Sequence, residues 1–228
     1  MKNKFYHYGD SFATCDSNEV IFSKYISENF NLEWIDRGFS GSSNYGIFSN
    51  IIKDLSNFKS GDKVLIGFTF FTRGEYIDKN DNLISTNIYY NDMGGTRVND
   101  LSHQEKLGFD ILDLKRRNNI LDYLIDYSWD CYVKLFKYSF NPIISYLINI
   151  GVDVRYFYIK KDTLTIMNSN GMNNDKPYVN FLPDVEINLN GFYDFITMLQ
   201  SYNWMKEESV HYTWNIQNKL ANIFIKNW

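Results

Sequence analysis

The segment Lys63–Phe71 contains Val64-Leu65-Ile66-Gly67-Phe68, a run with no polar side chain. A strand with one wetted face alternates apolar and polar residues, whereas an unbroken apolar run is a strand covered on both faces. Strands of that kind belong to parallel sheets sandwiched between helices. The preceding segments fit the same scheme. Lys4–Tyr8 reads as a strand, Ser17–Asn29 as a helix with Val20, Ile21, Tyr25 and Ile26 on its apolar face, and Leu32–Asp36 as a second strand. The loop Arg37–Asn44 then opens a helix carrying Ile47, Phe48, Ile51, Ile52 and Leu55 at helical spacing. The order β-α-β-α-β predicts a doubly wound α/β domain.

Beyond the third strand the pattern is interrupted from about 72 to 117, an insertion in which Tyr76–Tyr90 suggests a polar hairpin turning near Asp78–Asn82. Asn118–Ile150 is helical, as two helices or as one kinked at Pro142. Val152–Ile159 supplies another strand, Lys161–Ile187 is turn-rich, and Phe192–Gln200 and Ser209–Ile225 are helices. With no internal repeat and no convincing linker, residues 1–228 are expected to form a single domain.

Composition removes several function classes. The net charge is −4 and no stretch interleaves dense Lys/Arg with aromatics, which argues against nucleic acid as a partner. The most apolar long stretch carries Asp122, Asp126, Asp130, Lys134 and Lys137, so it is no membrane span. Cys15 and Cys131 fit neither a disulfide framework nor metal-ligand spacing, and suit a reducing compartment or a protein made in one. The spacing of His7, His103 and His211 suggests no metal site, and no cofactor motif is present. Met1-Lys2-Asn3-Lys4 leads straight into a strand without a signal-peptide core, which implies synthesis in the cytoplasm. Aromatic residues make up 18% of the chain, so some rings are expected to line a surface or cleft; Tyr89 and Tyr90 are candidates for stacking on sugars.

In Gly9-Asp10-Ser11 a serine stands where a strand gives way to a helix. Backbone N–H groups are unpaired at such a junction, and they suit either a capping side chain or an oxyanion beside an attacking hydroxyl. In a parallel sheet the loops after the first three strands share one edge, which groups Ser11, Gly41–Asn44 and Thr69–Arg73. Near the start of the last helix lies His211, with Glu208 three residues before it. A serine, a histidine, a carboxylate and loop N–H donors supply a nucleophile, a base, an orienting acid and an oxyanion hole. Asn44 suits either a substrate contact or a helix cap. Arg73 suits either a substrate carboxylate or phosphate, or an internal ion pair.

The order Gly9-Asp10-Ser11, then Gly41 in Ser-Gly-Ser-Ser-Asn, then a buried strand and a histidine near the C-terminus resembles the SGNH (GDSL-type) hydrolases. It is similar in particular to the SGNH-like proteins of bacteriophages and bacteria. The resemblance implies a flavodoxin-like three-layer α/β/α sandwich with a central, mostly parallel five-stranded sheet. It matches Ser11 to the nucleophile, Gly41 to a second oxyanion-hole N–H and His211 to the general base, with Glu208 where the family carries aspartate. The family's Gly-x-Asn-Asp block aligns with Gly67-Phe68-Thr69-Phe70, so a threonine replaces the asparagine of the oxyanion hole and leaves Thr69 and Asn44 as side-chain donors. Tyr212 stands where the family has a proline. The implied activity is serine ester hydrolysis, with an acylated small molecule or polysaccharide as substrate and O-acetylated carbohydrate as the leading class. The same scaffold also serves acyl transfer, or a catalytically silent binding or structural module such as a phage or surface component. A phage-encoded protein of this kind would reside in the virion or the host cytoplasm. Oligomeric state is left open.

Overall fold

The computed structural model of the protein describes residues 2–10, 21–38, 42–69, 73–77, 83–87, 129–159, 183–205 and 214–228. Four parallel strands form the central sheet: β1 (Lys4–Gly9), β2 (Glu33–Gly38), β3 (Lys63–Phe68) and, later in the chain, β6 (Asp153–Tyr158). Their spatial order is β2-β1-β3-β6. The chain therefore moves to one side of β1 and returns to the other, which puts a topological switch point between β1 and β3. His7 is in register with Asp36 of β2 and Leu65 of β3.

A fifth edge position is held by one parallel bridge, Tyr156 to Glu186, closed by the Ile187 N–H on the Tyr156 carbonyl at 2.8 Å. The described sheet thus has four full strands and a one-residue fifth. On its N-terminal side Glu186 follows directly on a 3-10 turn at Pro183–Val185, which is not extended and leaves no strand there to pair.

Side chains alternate across the sheet as a pleat requires. Phe5, Leu65 and Phe157 face α1 (Phe22–Asn29), α4 (Phe195–Ser201) and α5 (Gln217–Lys226), where Phe22 and Phe224 stack at 5.0 Å. Tyr6, Tyr8, Ile66, Phe68 and Tyr156 face α2 (Asn44–Lys53) and α3 (Trp129–Asn149), where Phe68 meets the Phe140 ring edge-on at 4.9 Å. The result is an α/β/α sandwich, with both faces of Val64–Phe68 covered as its apolar run demanded.

Two helices start later than the sequence expectation. The first helix begins at Phe22 rather than Ser17, because Ile21 is extended (φ −84°, ψ 159°). The last begins at Gln217 rather than Ser209, after a 3-10 turn at Trp214–Ile216. Over Trp129–Asn149 a single helix, α3, passes through Pro142, which is the second of the two arrangements open from the sequence; residues 118–128 lie outside the described residues. A proline has no N–H for the carbonyl four residues earlier, here that of Tyr138, a residue on the exposed side of the helix.

Within the expected insertion, β4 (Arg73–Ile77) and β5 (Leu83–Asn87) pair antiparallel as a separate two-stranded sheet. The sequence suggests a hairpin over Tyr76–Tyr90; the paired strands begin three residues earlier, at Arg73, and end at Asn87, and the turn expected near Asp78–Asn82 lies outside the described residues. Among the described residues, no helix is long and apolar enough to cross a membrane.

Candidate functional site

The carboxyl ends of β1 and β3 flank the switch point, and there Asp10, Asn44 and Thr69 form a buried cluster. The Thr69 hydroxyl donates to Asp10 Oδ2 at 2.5 Å. The Thr69 N–H donates to Asn44 Oδ1 at 2.9 Å, and Asn44 Nδ2 donates to the Thr69 carbonyl at 3.1 Å. One asparagine therefore holds both polar groups of one peptide residue, as a neighbouring strand would. This locks the backbone just past β3 to the first turn of α2.

The cap of α2 is Ser43, whose hydroxyl accepts from the N–H groups of Tyr45 at 3.1 Å and Gly46 at 3.2 Å. Because Ser43 fulfils the capping role that suited Asn44, the amide one residue on is left to reach β3. The amino end of α2 and its partial positive charge face the same sheet edge.

The loop after β2 is fixed at its start by Asp36, whose Oδ1 accepts the Gly38 N–H at 2.8 Å. Burial raises the Asp36 pKa, and that hydrogen bond and Arg37 oppose the shift. Below the loop, Asp54 at the end of α2 accepts from Arg37 Nε at 2.8 Å and from the Tyr8 hydroxyl at 2.8 Å. Burial would raise the Asp54 pKa, but these hydrogen bonds and one from Asn57 hold it below the usual carboxylate range. This network ties β1, β2 and α2 together beneath the cluster.

On the opposite face of β1, His7 is fully buried and lies edge-on to Phe22 at 5.2 Å. Neither ring nitrogen has a hydrogen-bond partner among the described residues, and burial pushes its pKa down to about 3. Phe22 opens α1 without help from its own N-cap, since Ile21 has no side-chain oxygen. The acceptor for the Phe22 N–H comes instead from Gln217, the first residue of α5, whose Oε1 lies at 2.6 Å across 195 positions of sequence. Phe22 is thus a node joining β1 to the amino ends of two helices.

Of the residues singled out from the sequence, Thr69 and Asn44 meet at the switch point. Arg73 opens β4 opposite Asn87, with only its backbone described. Ser11, Gly41, Glu208 and His211 lie outside the described residues, as do Cys15 and His103; Ser11 directly follows the anchored Asp10. Gln217 was not singled out, although an uncapped apolar Ile21 ahead of an amphipathic helix signals that a donor needs an acceptor from elsewhere. Among the described residues no group of three or more His, Cys, Asp or Glu could hold a metal ion.

No protein-family model and no curated protein matches the chain. Solved structures do. Protein YxiM of Bacillus subtilis superposes with a TM-score of 0.51 at 11% identity, over 100% of this chain and 56% of its own. The chain therefore spans little more than half the length of that protein. The psychrotrophic esterase EstA from Pseudoalteromonas sp., in a structure inhibited by monoethylphosphonate, gives a TM-score of 0.48 at 10% identity, over 99% of this chain and 96% of its own. The likeness to YxiM is one of fold, and the fold is the three-layer α/β/α sandwich with a parallel sheet.

Proposed function

We propose, from an SGNH-type fold that carries the Gly-Asp-Ser, Gly41 and His211 motifs in the family's order, that the protein is a serine ester hydrolase. The observation that carries this reading is the Phe22 node. Ser11 lies four residues after His7 and His211 six residues before Gln217, and both His7 and Gln217 contact Phe22. At about 3.3–3.6 Å per residue, two segments this short starting from one anchor are able to meet, though nearly two hundred positions separate them in sequence.

In the proposed reaction Ser11 Oγ attacks the ester carbonyl carbon while His211, oriented by Glu208, takes its proton. The N–H groups of Ser11 and Gly41 receive the oxyanion. His211 then protonates the departing alkoxide, leaving an acyl-enzyme. Water attacks that ester, gives its proton to His211, and the proton returns to Ser11 as the carboxylic acid leaves. Thr69 serves this site by position, since its hydroxyl and N–H both donate within the protein. Of the two amide hydrogens of Asn44, the Thr69 carbonyl takes one, and the other is our candidate for the third donor. An O-acetylated carbohydrate is the proposed substrate, and Arg73 the proposed contact for a substrate carboxylate or phosphate.

The test is turnover of p-nitrophenyl acetate by wild type and Ser11→Ala. The expected loss is at least about 10³-fold, and equal rates would end the hydrolase reading.

The engagement of Thr69 also favours a second reading, a binding or structural module on the same scaffold. A missing oxyanion donor costs on the order of 10²–10³ in rate. Covalent labelling of Ser11 by a fluorophosphonate, lost in His211→Ala, is the result that the second reading does not allow.

A further inference from the structure

We infer that Gln217 is a positioning residue for the proposed hydrolysis, setting through Phe22 where the segment that carries the base meets the segment that carries the nucleophile. This rests on the serine hydrolase reading above and adds to it a residue that belongs to none of its motifs.

Four observations support the assignment. Gln217 is 5% exposed and opens α5, so its backbone is fixed and its side chain has little room to wander. Its Oε1 accepts from the Phe22 N–H at 2.6 Å, a close approach for an N–H donor. The N-cap Ile21 is extended and itself offers no side-chain acceptor for that N–H. Finally, the Phe22 ring touches His7 of β1, so a shift of α5 at this point is a shift relative to the strand that leads to Asp10 and Ser11.

The alternative is that Gln217 is only a helix cap supplied from a distance. A cap contributes to stability, and its loss lowers the folded fraction without changing what each folded molecule does. A positioning residue acts on the geometry of reacting groups, where a misplacement of about 1 Å costs on the order of 10²-fold. The two roles therefore separate in kcat per active site.

The experiment compares wild type with Gln217→Asn, Gln217→Met and Gln217→Glu in the full chain. Active sites are titrated with a fluorophosphonate, and p-nitrophenyl acetate turnover is expressed per titrated serine. Asparagine withdraws the acceptor by one methylene, and methionine keeps the length without an acceptor. Glutamate keeps an acceptor at the same reach. The expected result is a roughly 10- to 100-fold fall in kcat for the asparagine and methionine variants with KM within about twofold. The glutamate variant is expected to recover to within about fivefold of wild type. Should one variant not fold, the other removes the same hydrogen bond and decides the matter. Wild-type kcat per titrated site in either would overturn the inference while leaving the hydrolase reading intact. A wild type that takes no label, or labelling that survives Ser11→Ala, would instead remove the hydrolase reading and this inference with it.

Discussion

Acidification from pH 7 to pH 5 should destabilise the fold through His7, and the size of the effect follows from its burial. His7 is fully enclosed, with both ring nitrogens unpartnered among the described residues, and burial holds its folded pKa near 3 against about 6.5 in an unfolded chain. Between those values the unfolded state binds a proton that the folded state does not, so stability falls as pH falls. The contribution begins to be lost below about pH 6.5 and continues to fall until the folded group itself titrates. A single group with unfolded pKa of about 6.5 costs about 0.2 kcal/mol at pH 7 and about 2 kcal/mol at pH 5, the limiting slope being about 1.4 kcal/mol per pH unit. The salt-bridged carboxylates Asp54 and Asp153 have folded pKa values below the usual range, so their contributions are lost at lower pH than this window. The burial-raised Asp36 and the other two histidines are shared by wild type and variant, and cancel in the comparison. The assay is urea unfolding at both pH values for wild type and His7→Leu, which removes the titration and keeps an apolar side chain of similar size. Wild type should lose about 2 kcal/mol more than the variant over the interval. The reasoning is refuted if both lose the same amount, since His7 would then titrate alike folded and unfolded.

Two further outcomes are expected. Gly67→Ala would place a Cβ 2.9 Å from Phe157 Cζ and 3.2 Å from Cε1 on a strand that cannot retreat; it should cost about 1–3 kcal/mol in thermal or urea unfolding, partly recovered when Phe157→Leu is added. Asn44→Ala removes both hydrogen bonds that clamp the Thr69 backbone, and should lower ester turnover per folded molecule by about 10-fold or more while costing about 1–3 kcal/mol of stability; unchanged turnover in the folded variant would show that the clamp plays no part at the site.

The parallel architecture was legible because its cause is local. Val64–Phe68 is apolar at every position, and only a doubly covered strand uses such a run. Helix starts were less legible. Ser17 has the composition of an N-cap, yet α1 begins at Phe22, where the acceptor comes from Gln217 at the other end of the chain. The role of Asn44 was open for a related reason. Capping and long-range clamping ask the same thing of an amide, and Ser43, one residue away, decides between them by taking the cap. Thr69 aligned with a donor position, but whether its hydroxyl is available depends on Asp10, 59 positions earlier.

By itself, then, the sequence determined the parallel α/β order of the first segments and the sheet edge that Asn44 and Thr69 share. Periodicity and apolar runs express the burial of each segment, which neighbouring residues settle between them. Only the tertiary structure decided the pairings: Asn44 with the Thr69 backbone, the Thr69 hydroxyl with Asp10, Gln217 with Phe22, and His7 with no polar partner among the described residues. A hydrogen bond depends on a few ångströms of separation between groups that lie far apart in the chain. That separation is set by how the layers pack, and no local pattern of residues encodes it.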